Sequence, residues 1–403
     1  GHGHVFVGAN VPFGLVQLGP TSIPQTWDWC SGYHDSDTTV IGFSHTHLEG
    51  TGIGDLFDVT VMPVIGEVTY ARGEAPAEGA TPEEIEAAIK TGLWSYADRS
   101  KEVTKPGYYS VPLTRFGINA EMTATSRVGL HRYTFPASDS AAIVFDLENG
   151  GCWDKATETL TESVDSVTIR GYRYSTGWAK NQKVFFYAQF SKPFDSFSNM
   201  GAYSRMAFHT TEGEQVMVKV ALSPVSMDGA QANLAAEMPG WDFEGTVKAA
   251  EKAWNEELSK IKVDTDDAEA RTVFYTAMYH TMIQPSVFND VNRDYRGADD
   301  QIHTEHGFTN YTTFSLWDTY RAAIPLMTII HPEKINDIAN TMIGIYQQQG
   351  KLPVWHLWGN ETDCMVGNPG VIALADILVK GFEGFDKELA YKALKDSEMR
   401  PDR

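Results

Sequence analysis

The hydrophobic period of this chain changes near Gly240, and that change constrains the fold more than any other feature. Before it, apolar residues alternate. In Gln215–Leu222, the side chains of Val216, Val218, Val220 and Leu222 share one face, which is the period of a half-buried strand. After it, apolar residues recur every three or four positions. Val247, Ala250, Trp254, Leu258 and Ile261 line one face of an amphipathic helix. The order predicts a mixed fold, β first and then α.

The first part carries further strand-length runs at Met122–Thr125, Ala141–Asp146, Ser166–Arg170, Arg173–Ser175 and Val184–Phe190. They are rich in β-branched and aromatic residues. Turn signals such as Glu148-Asn-Gly-Gly151 separate them. Many short strands at this spacing predict a β-sandwich, here over residues 1–238. A helix candidate with proline at its first helical position, Thr81–Ile89, interrupts it as a surface insertion. Residues 239–264 form the linker helix. Residues 265–403 read as helical: Phe274, Met278 and Met282 fall four apart, and Pro332 opens a helix whose Ile335, Ile338, Met342 and Ile345 share a face up to Gly350. Val371–Val379 and Lys387–Leu394 are further helices.

Three polar clusters interrupt this scaffold. Phe314-Ser-Leu-Trp-Asp-Thr-Tyr-Arg321 packs aromatics, a carboxylate and a guanidinium into eight residues and reads as a helix start. It could grip a sugar: the ring face stacks on Trp317, a vicinal hydroxyl pair bonds to Asp318, and Arg321 holds the carboxylate or a further hydroxyl. A salt-bridged helix start with a core tryptophan is the competing reading. His45-Thr-His47-Leu-Glu49 leads into Gly50, Gly52, Gly54 and Asp55. If it is a strand, His45 and His47 share a face and a ligand. Glu49, Asp55 and Asp58 could add oxygens. A zinc site would need a third ligand whose position the segment does not fix. Trp27-Asp-Trp29 offers an aromatic platform, with one ring in the core. Between two helices lie Trp355, His356, Trp358, Asn360, Glu361 and Asp363. Asn360 and Glu361 suit hydroxyl binding, and a buried Glu361 could act as an acid.

The chain of 403 residues has 53 acidic and 32 basic side chains, a net charge of −21. Such a surface repels nucleic acid and anionic membranes and suits a neutral substrate. No run of 18 apolar residues occurs, so no segment is long enough to span a membrane as a helix. Cys30, Cys152 and Cys364 are too few and scattered for a disulfide framework. Both chain ends read as cut, which predicts a piece of a longer protein.

Gly8-Ala-Asn-Val-Pro-Phe-Gly14, Cys30-Ser-Gly-Tyr-His34, Gly42-Phe-Ser-His-Thr-His-Leu48, Phe274-Tyr-Thr-Ala-Met-Tyr-His280, Phe314–Arg321 and Gly359-Asn-Glu-Thr-Asp-Cys-Met365 together resemble the family-92 glycoside hydrolases. The resemblance runs in order along nearly the whole chain. It implies a calcium-dependent, inverting exo-α-mannosidase acting on mannose-containing glycans. It also implies an N-terminal β-sandwich packed on the first part of an (α/α)6 barrel, and a secreted or periplasmic parent protein. The family's acid and base motifs are expected beyond Arg403, and the calcium ligands mostly there too. The sugar-binding set in this chain would be Trp29, His45, His47, Trp317, Asp318, Arg321, Trp355, Asn360 and Glu361. The alternative is a non-catalytic carbohydrate-binding or structural module.

Overall fold

A computed structural model describes residues 4–23, 29–70, 81, 92–151, 154–305 and 307–399. The predicted helix at 81–89, and Trp27 and Cys152, lie outside the described residues apart from Thr81.

Two antiparallel sheets form the first half. The smaller runs, in spatial order, Gly19–Thr21, Gly42–Ser44, Thr60–Ile65, Ser138–Asp146, Tyr203–Thr210 and Ser196–Met200. The larger runs Lys155–Asp165, Thr168–Thr176, Gln182–Phe190, Glu214–Ser223, Val128–Phe135, Ile118–Ala124, Tyr108–Leu113 and Val103–Lys105. Their inner faces share one core. Phe145 of the smaller sheet meets Phe186 at 5.7 Å and Phe190 at 6.2 Å, and Phe43 meets Tyr133 at 6.3 Å. Such offset and tilted ring pairs are the favoured aromatic geometries.

The alternation in Glu214–Ser223 stops at Val218, because from Lys219 onward both faces are buried. A helix covers the outer face: α1, Met227–Glu237, capped by the Ser226 hydroxyl. Its Ala230 and Leu234 pack on Leu130, Tyr187 and Ala221. Lys219 donates to Met238 O at 3.0 Å, its ammonium 4.2 Å from the Trp241 ring centroid.

Helix α2, Phe243–Leu258, is capped by Asp242 and spans the two halves. Phe243 and Val247 complete the cluster on the large sheet, while Trp254 belongs to the helical core and donates to Asn10 O at 2.8 Å. The helical part continues with α3 (Ala268–His280), α4 (Leu316–Thr319), α5 (Ala323–Ile330), α6 (Pro332–Gln349), α7 (Pro369–Val379) and α8 (Lys387–Glu398). Helix α6 begins at proline and ends at Gly350 with φ 80°, as its sequence required. The start of the chain is shared between the halves. Phe6 and Phe13 lie in the helical core, Phe13 N donates to Met282 O at 2.7 Å, and Ala9 pairs with Leu18. Among the described residues, no helix is long and apolar enough to cross a membrane.

Candidate active site at the junction of the two halves

The structure joins the polar clusters through pairings far apart in sequence. Strand Phe314–Ser315 pairs with Trp355–Leu357, which pairs with Asn360–Glu361, so two clusters form one small sheet. That sheet docks on a loop of the sandwich. Trp355 packs on Trp178 with ring centroids 4.5 Å apart, and Asn360 exchanges hydrogen bonds with the Asn181 backbone at 3.0 and 3.2 Å. The His45–Asp55 cluster reaches the same junction through Glu49. Its carboxylate accepts from Phe6 N at 2.5 Å and lies 2.6 Å from His280 Nδ1, at the end of α3. Glu49, His280, Gln284, Thr313, Ser315 and Thr319 help line a cavity of about 100 Å3.

Backbone strain touches this cavity at Thr313 and recurs elsewhere in the chain. Val59 (φ 51°) and Thr313 (φ 64°) are β-branched residues in the left-handed region, where such residues are true outliers. Trp358, Asp363 and Met365 also have positive φ. Strain of this kind persists only where surroundings impose it, and it collects at functional sites. The Thr313 hydroxyl is buried with no hydrogen-bond partner among the described residues.

Next to the cavity, Asp318 is exposed and Trp317 half-exposed. The Ser315 hydroxyl donates to Asp318 Oδ2 at 2.7 Å, which fixes the carboxylate. Arg321 does not hold Asp318: among the described residues no ion pair joins them. Its guanidinium lies 4.3 Å from the Trp317 ring centroid and 4.7 Å from that of Tyr320, and bonds Trp317 O. A cation over the ring is favourable, and it covers one of the two faces offered to a sugar. The predicted continuous helix is also broken here. Strand Phe314–Ser315 and the single turn α4 precede α5.

A family model described as the glycosyl hydrolase family 92 N-terminal domain matches residues 1–223, and one described as the family's catalytic domain matches residues 229–403. The chain belongs to glycosyl hydrolase family 92. A family-92 α-mannosidase from Bacteroides thetaiotaomicron, also solved with mannoimidazole, is 37% identical with a TM-score of 0.92. The match covers 100% of this chain and 56% of that one. A family-92 inverting mannosidase of the same bacterium is 25% identical, TM-score 0.82, over 97% of this chain and 52% of that one. A protein of Arthroderma benhamiae described as an uncharacterized secreted glycosidase is 25% identical over 99% of this chain and 51% of its own length. The chain thus spans about half the length of the relatives it matches.

Within this family-92 chain, several residues predicted to touch sugar are already occupied. His45 and His47 are wholly buried and bond different backbone carbonyls. His45 Nδ1 bonds Val59 O at 2.6 Å, His45 Nε2 meets His131 Nε2 at 3.0 Å, and the Tyr133 hydroxyl meets His131 Nδ1 at 2.8 Å. One pattern satisfies all four ring nitrogens: His45 donates from Nδ1, His131 from Nε2, and Tyr133 donates to His131. Both imidazoles are neutral in it. Burial drives His45 down to about 4 and His131 well below its usual value. His47 turns elsewhere, bonding Gln17 O at 2.8 Å between Phe6 and Phe57. The shared-face expectation failed because both residues follow the strand Gly42–Ser44.

Trp355 is buried behind Trp178. Glu361 accepts from the backbone N–H groups of Val354 (2.8 Å), Trp355 (2.9 Å) and Asp363 (3.0 Å), a clamp that shapes the loop. The Asn360 amide is committed to the Asn181 backbone and Trp358 O. Trp29 stacks on His34 at 4.8 Å and donates to Asp37 at 2.9 Å, half-exposed. Sequence reasoning did not anticipate His280, Gln284, Thr313 or the Trp178–Asn181 loop. Only Glu49, named as an oxygen donor, gave a signal.

The one acidic cluster of metal-holding spacing among the described residues does not suit calcium. Among the described residues, one group of three or more His, Cys, Asp or Glu has metal-holding spacing: Glu257, His331 and Glu333. The Lys260 ammonium already sits there, 2.8 Å from Glu257, 3.1 Å from Glu333 and 3.0 Å from His331 Nδ1. Burial raises the Glu257 carboxyl, but His331 and Lys260 outweigh it and hold it near 2. Calcium takes oxygen ligands, and an imidazole beside an ammonium is a poor substitute.

Proposed function

We propose that this chain is part of an exo-acting α-mannosidase that hydrolyses terminal α-mannosyl linkages with inversion. The observation that carries the reading is the junction itself. In a family-92 chain, the exposed Asp318, fixed by Ser315, stands beside a cavity that draws residues from both halves and holds the strained Thr313. Asp318 accepts from two adjacent hydroxyls of a terminal mannose, and charged hydrogen bonds are worth ~1.5–3 kcal/mol each. Arg321 meets a further hydroxyl, and the remaining faces of Trp317 and Trp29 pack on the ring. The mannosidase relatives support the substrate class.

Inversion needs two carboxyls roughly 6.5–9.5 Å apart, one to protonate the leaving oxygen and one to activate water. In this reading they come from polypeptide outside these 403 residues, as do most ligands of the calcium that the family implies. The helices would be the first part of an (α/α)6 barrel. The parent would be secreted or periplasmic; the relative described as a secreted glycosidase supports export.

Release of mannose from an α-mannoside by the full-length protein, with and without a chelator, tests the proposal. Chelator-sensitive release with inverted product is expected, together with inactivity of residues 1–403 alone. Release by the 403-residue chain would overturn the division of labour. Binding without release by the full-length protein would point to the non-catalytic module.

A further inference from the structure

Between Trp29 and Asp37 the chain makes two tight turns. Gly32 N donates to Trp29 O at 3.0 Å, with Gly32 at φ 81°, and Asp37 N donates to His34 O at 3.0 Å. A φ of that sign favours glycine. The turns bring two groups onto one indole. The Trp29 Nε1–H donates to Asp37 Oδ2 at 2.9 Å, and the His34 ring stacks on one face, with centroids 4.8 Å and planes 22° apart. Asp37 is buried, and its other carboxylate oxygen accepts from Thr39 N at 3.1 Å and Thr39 Oγ1 at 2.9 Å. The Arg99 Nε–H donates to Asp37 O at 2.8 Å. Arg99 is fixed in turn by Glu102, which also accepts from the Tyr33 hydroxyl at 2.9 Å and from the hydroxyl of Tyr109, on the large sheet, at 2.5 Å.

Trp29 differs from the tryptophans of the core. Trp94, Trp254, Trp355 and Trp358 are buried, whereas Trp29 is half-exposed. Close packing fixes a buried indole; a half-exposed one keeps a single orientation only where neighbouring groups impose it. The Trp29 loop also reaches the junction. Cys30 Sγ lies 3.0 Å from His4 Nδ1, and His4 O accepts from Gly50 N at 2.6 Å, one residue from the cavity-lining Glu49.

We infer that Asp37 and His34 are positioning residues for sugar binding. Asp37 pins the edge of the indole and His34 backs one face, so the other face is set for the C–H side of a mannose ring before the sugar arrives. Orienting a contact group in advance lowers the entropy that binding costs. Arg99 and Glu102 anchor this holder to the sandwich. The inference rests on the mannosidase reading, in which Trp29 packs on the sugar.

The test measures calorimetric binding of mannose to the full-length protein, with kcat on an α-mannoside alongside. Trp29→Ala is the reference and should weaken mannose binding. Asp37→Leu should raise the Kd for mannose at least ~5-fold, since it removes a hydrogen bond to a charged acceptor, and kcat should stay within ~2-fold, the pattern of lost uniform binding. His34→Ala should raise the Kd at least ~3-fold, and His34→Phe, which keeps a ring behind the indole, should restore most of the affinity. A residue that only supports the fold would lower melting without that rescue. If Asp37→Leu fails to fold, the His34 pair decides. Weaker binding in Trp29→Ala with Asp37→Leu and His34→Ala unchanged would overturn the inference and leave the sugar role of Trp29 standing. Equal losses in His34→Ala and His34→Phe would also overturn it. Unchanged binding in Trp29→Ala would remove Trp29 from the sugar site and the inference with it, while mannose release could persist. No mannose binding by the unaltered protein would sink the mannosidase reading itself.

Discussion

The two halves of this molecule treat polar and apolar groups in opposite ways. In the sandwich, charge is turned inward. Arg173 is wholly buried, bonded to Asp58 at 2.7 Å, to Asp154 and to Leu147 O, and Gln182 donates to Asp58 at 2.5 Å. In the helical half, apolar side chains are turned outward, at Val273, Ile329, Val366, Ile372 and Val379. The sandwich buries its central charges against one another. The helical half has a core on one side and an unmatched face on the other. The difference separates the charges that this chain encloses from the apolar side chains that it leaves exposed, and each prediction below presses on it.

The largest effect should come from Arg173→Leu. Removing one member of a buried ionic group leaves the others charged without compensation, at a cost of about 3–5 kcal/mol. Asp58 and Asp154 would both be stranded. Urea unfolding should show a loss of that size, seen first in the β signal. A loss below 1 kcal/mol would mean that water reaches the cluster and that the sandwich is less closed than it looks.

Asp55 tests the same cluster by pH. Burial, then the Asp154 charge, raises its carboxyl from 3.8 to about 7, although it accepts from Leu56 N and Trp178 N. An acid with a raised folded value binds its proton more tightly when folded. Its contribution is therefore full below about 4 and lost as pH rises through 7. The buried histidines act oppositely, favouring the fold above their depressed values. Comparison with Asp55→Asn cancels them. The stability advantage of the unaltered chain over the variant should shrink by about 3 kcal/mol between pH 5 and pH 8, at 1.36 kcal/mol for each unit traversed. An advantage that grows with pH would reverse the assignment.

Legibility also divides by half and by range. Strand Glu214–Ser223, helix α2 and helix α6 were readable because each repeats an apolar residue at its own period, and Pro332 and Gly350 punctuate the last. Helix α1 was not: Met-Asp-Gly-Ala-Gln-Ala-Asn-Leu-Ala-Ala-Glu lacks a strong apolar stripe, and its small residues suit close packing on a sheet already formed. At the site, residue types were readable and their partners were not. Glu361 looked like a ligand group, and only the fold of the loop shows that three backbone N–H groups consume it. His45 finds His131, 86 residues on, on a strand of the facing sheet. No local pattern encodes such a pairing.

The next effect falls on chemistry and spares stability. Asp318→Asn in the full-length enzyme should lower kcat/KM at least ~10-fold, which corresponds to 1.36 kcal/mol. Melting should not change, because the carboxylate is exposed and its bond here is to the Ser315 hydroxyl. Lower melting with kinetics unchanged would make Asp318 a scaffold residue and would undo the sugar-clamp reading of Phe314–Arg321.

The smallest effect should be the most telling for the comparison. Val379→Lys in the 403-residue chain places a charge on a helix that is otherwise almost wholly apolar. If α7 were a core helix on that side, the substitution would bury an unpaired ammonium and cost several kcal/mol. Val379 is 83% exposed, so the chain itself should lose no more than about 0.5 kcal/mol, the range of ordinary surface changes. The new ammonium also lies in the last turn of α7, where a cation is favoured by the helix dipole, so the sign could be slightly positive. Val144 is the matched control, since it is fully buried in the sandwich. A lysine there should unfold the domain. Equal penalties at the two positions would show that the helical half is closed by its own residues, and the contrast between the halves would collapse.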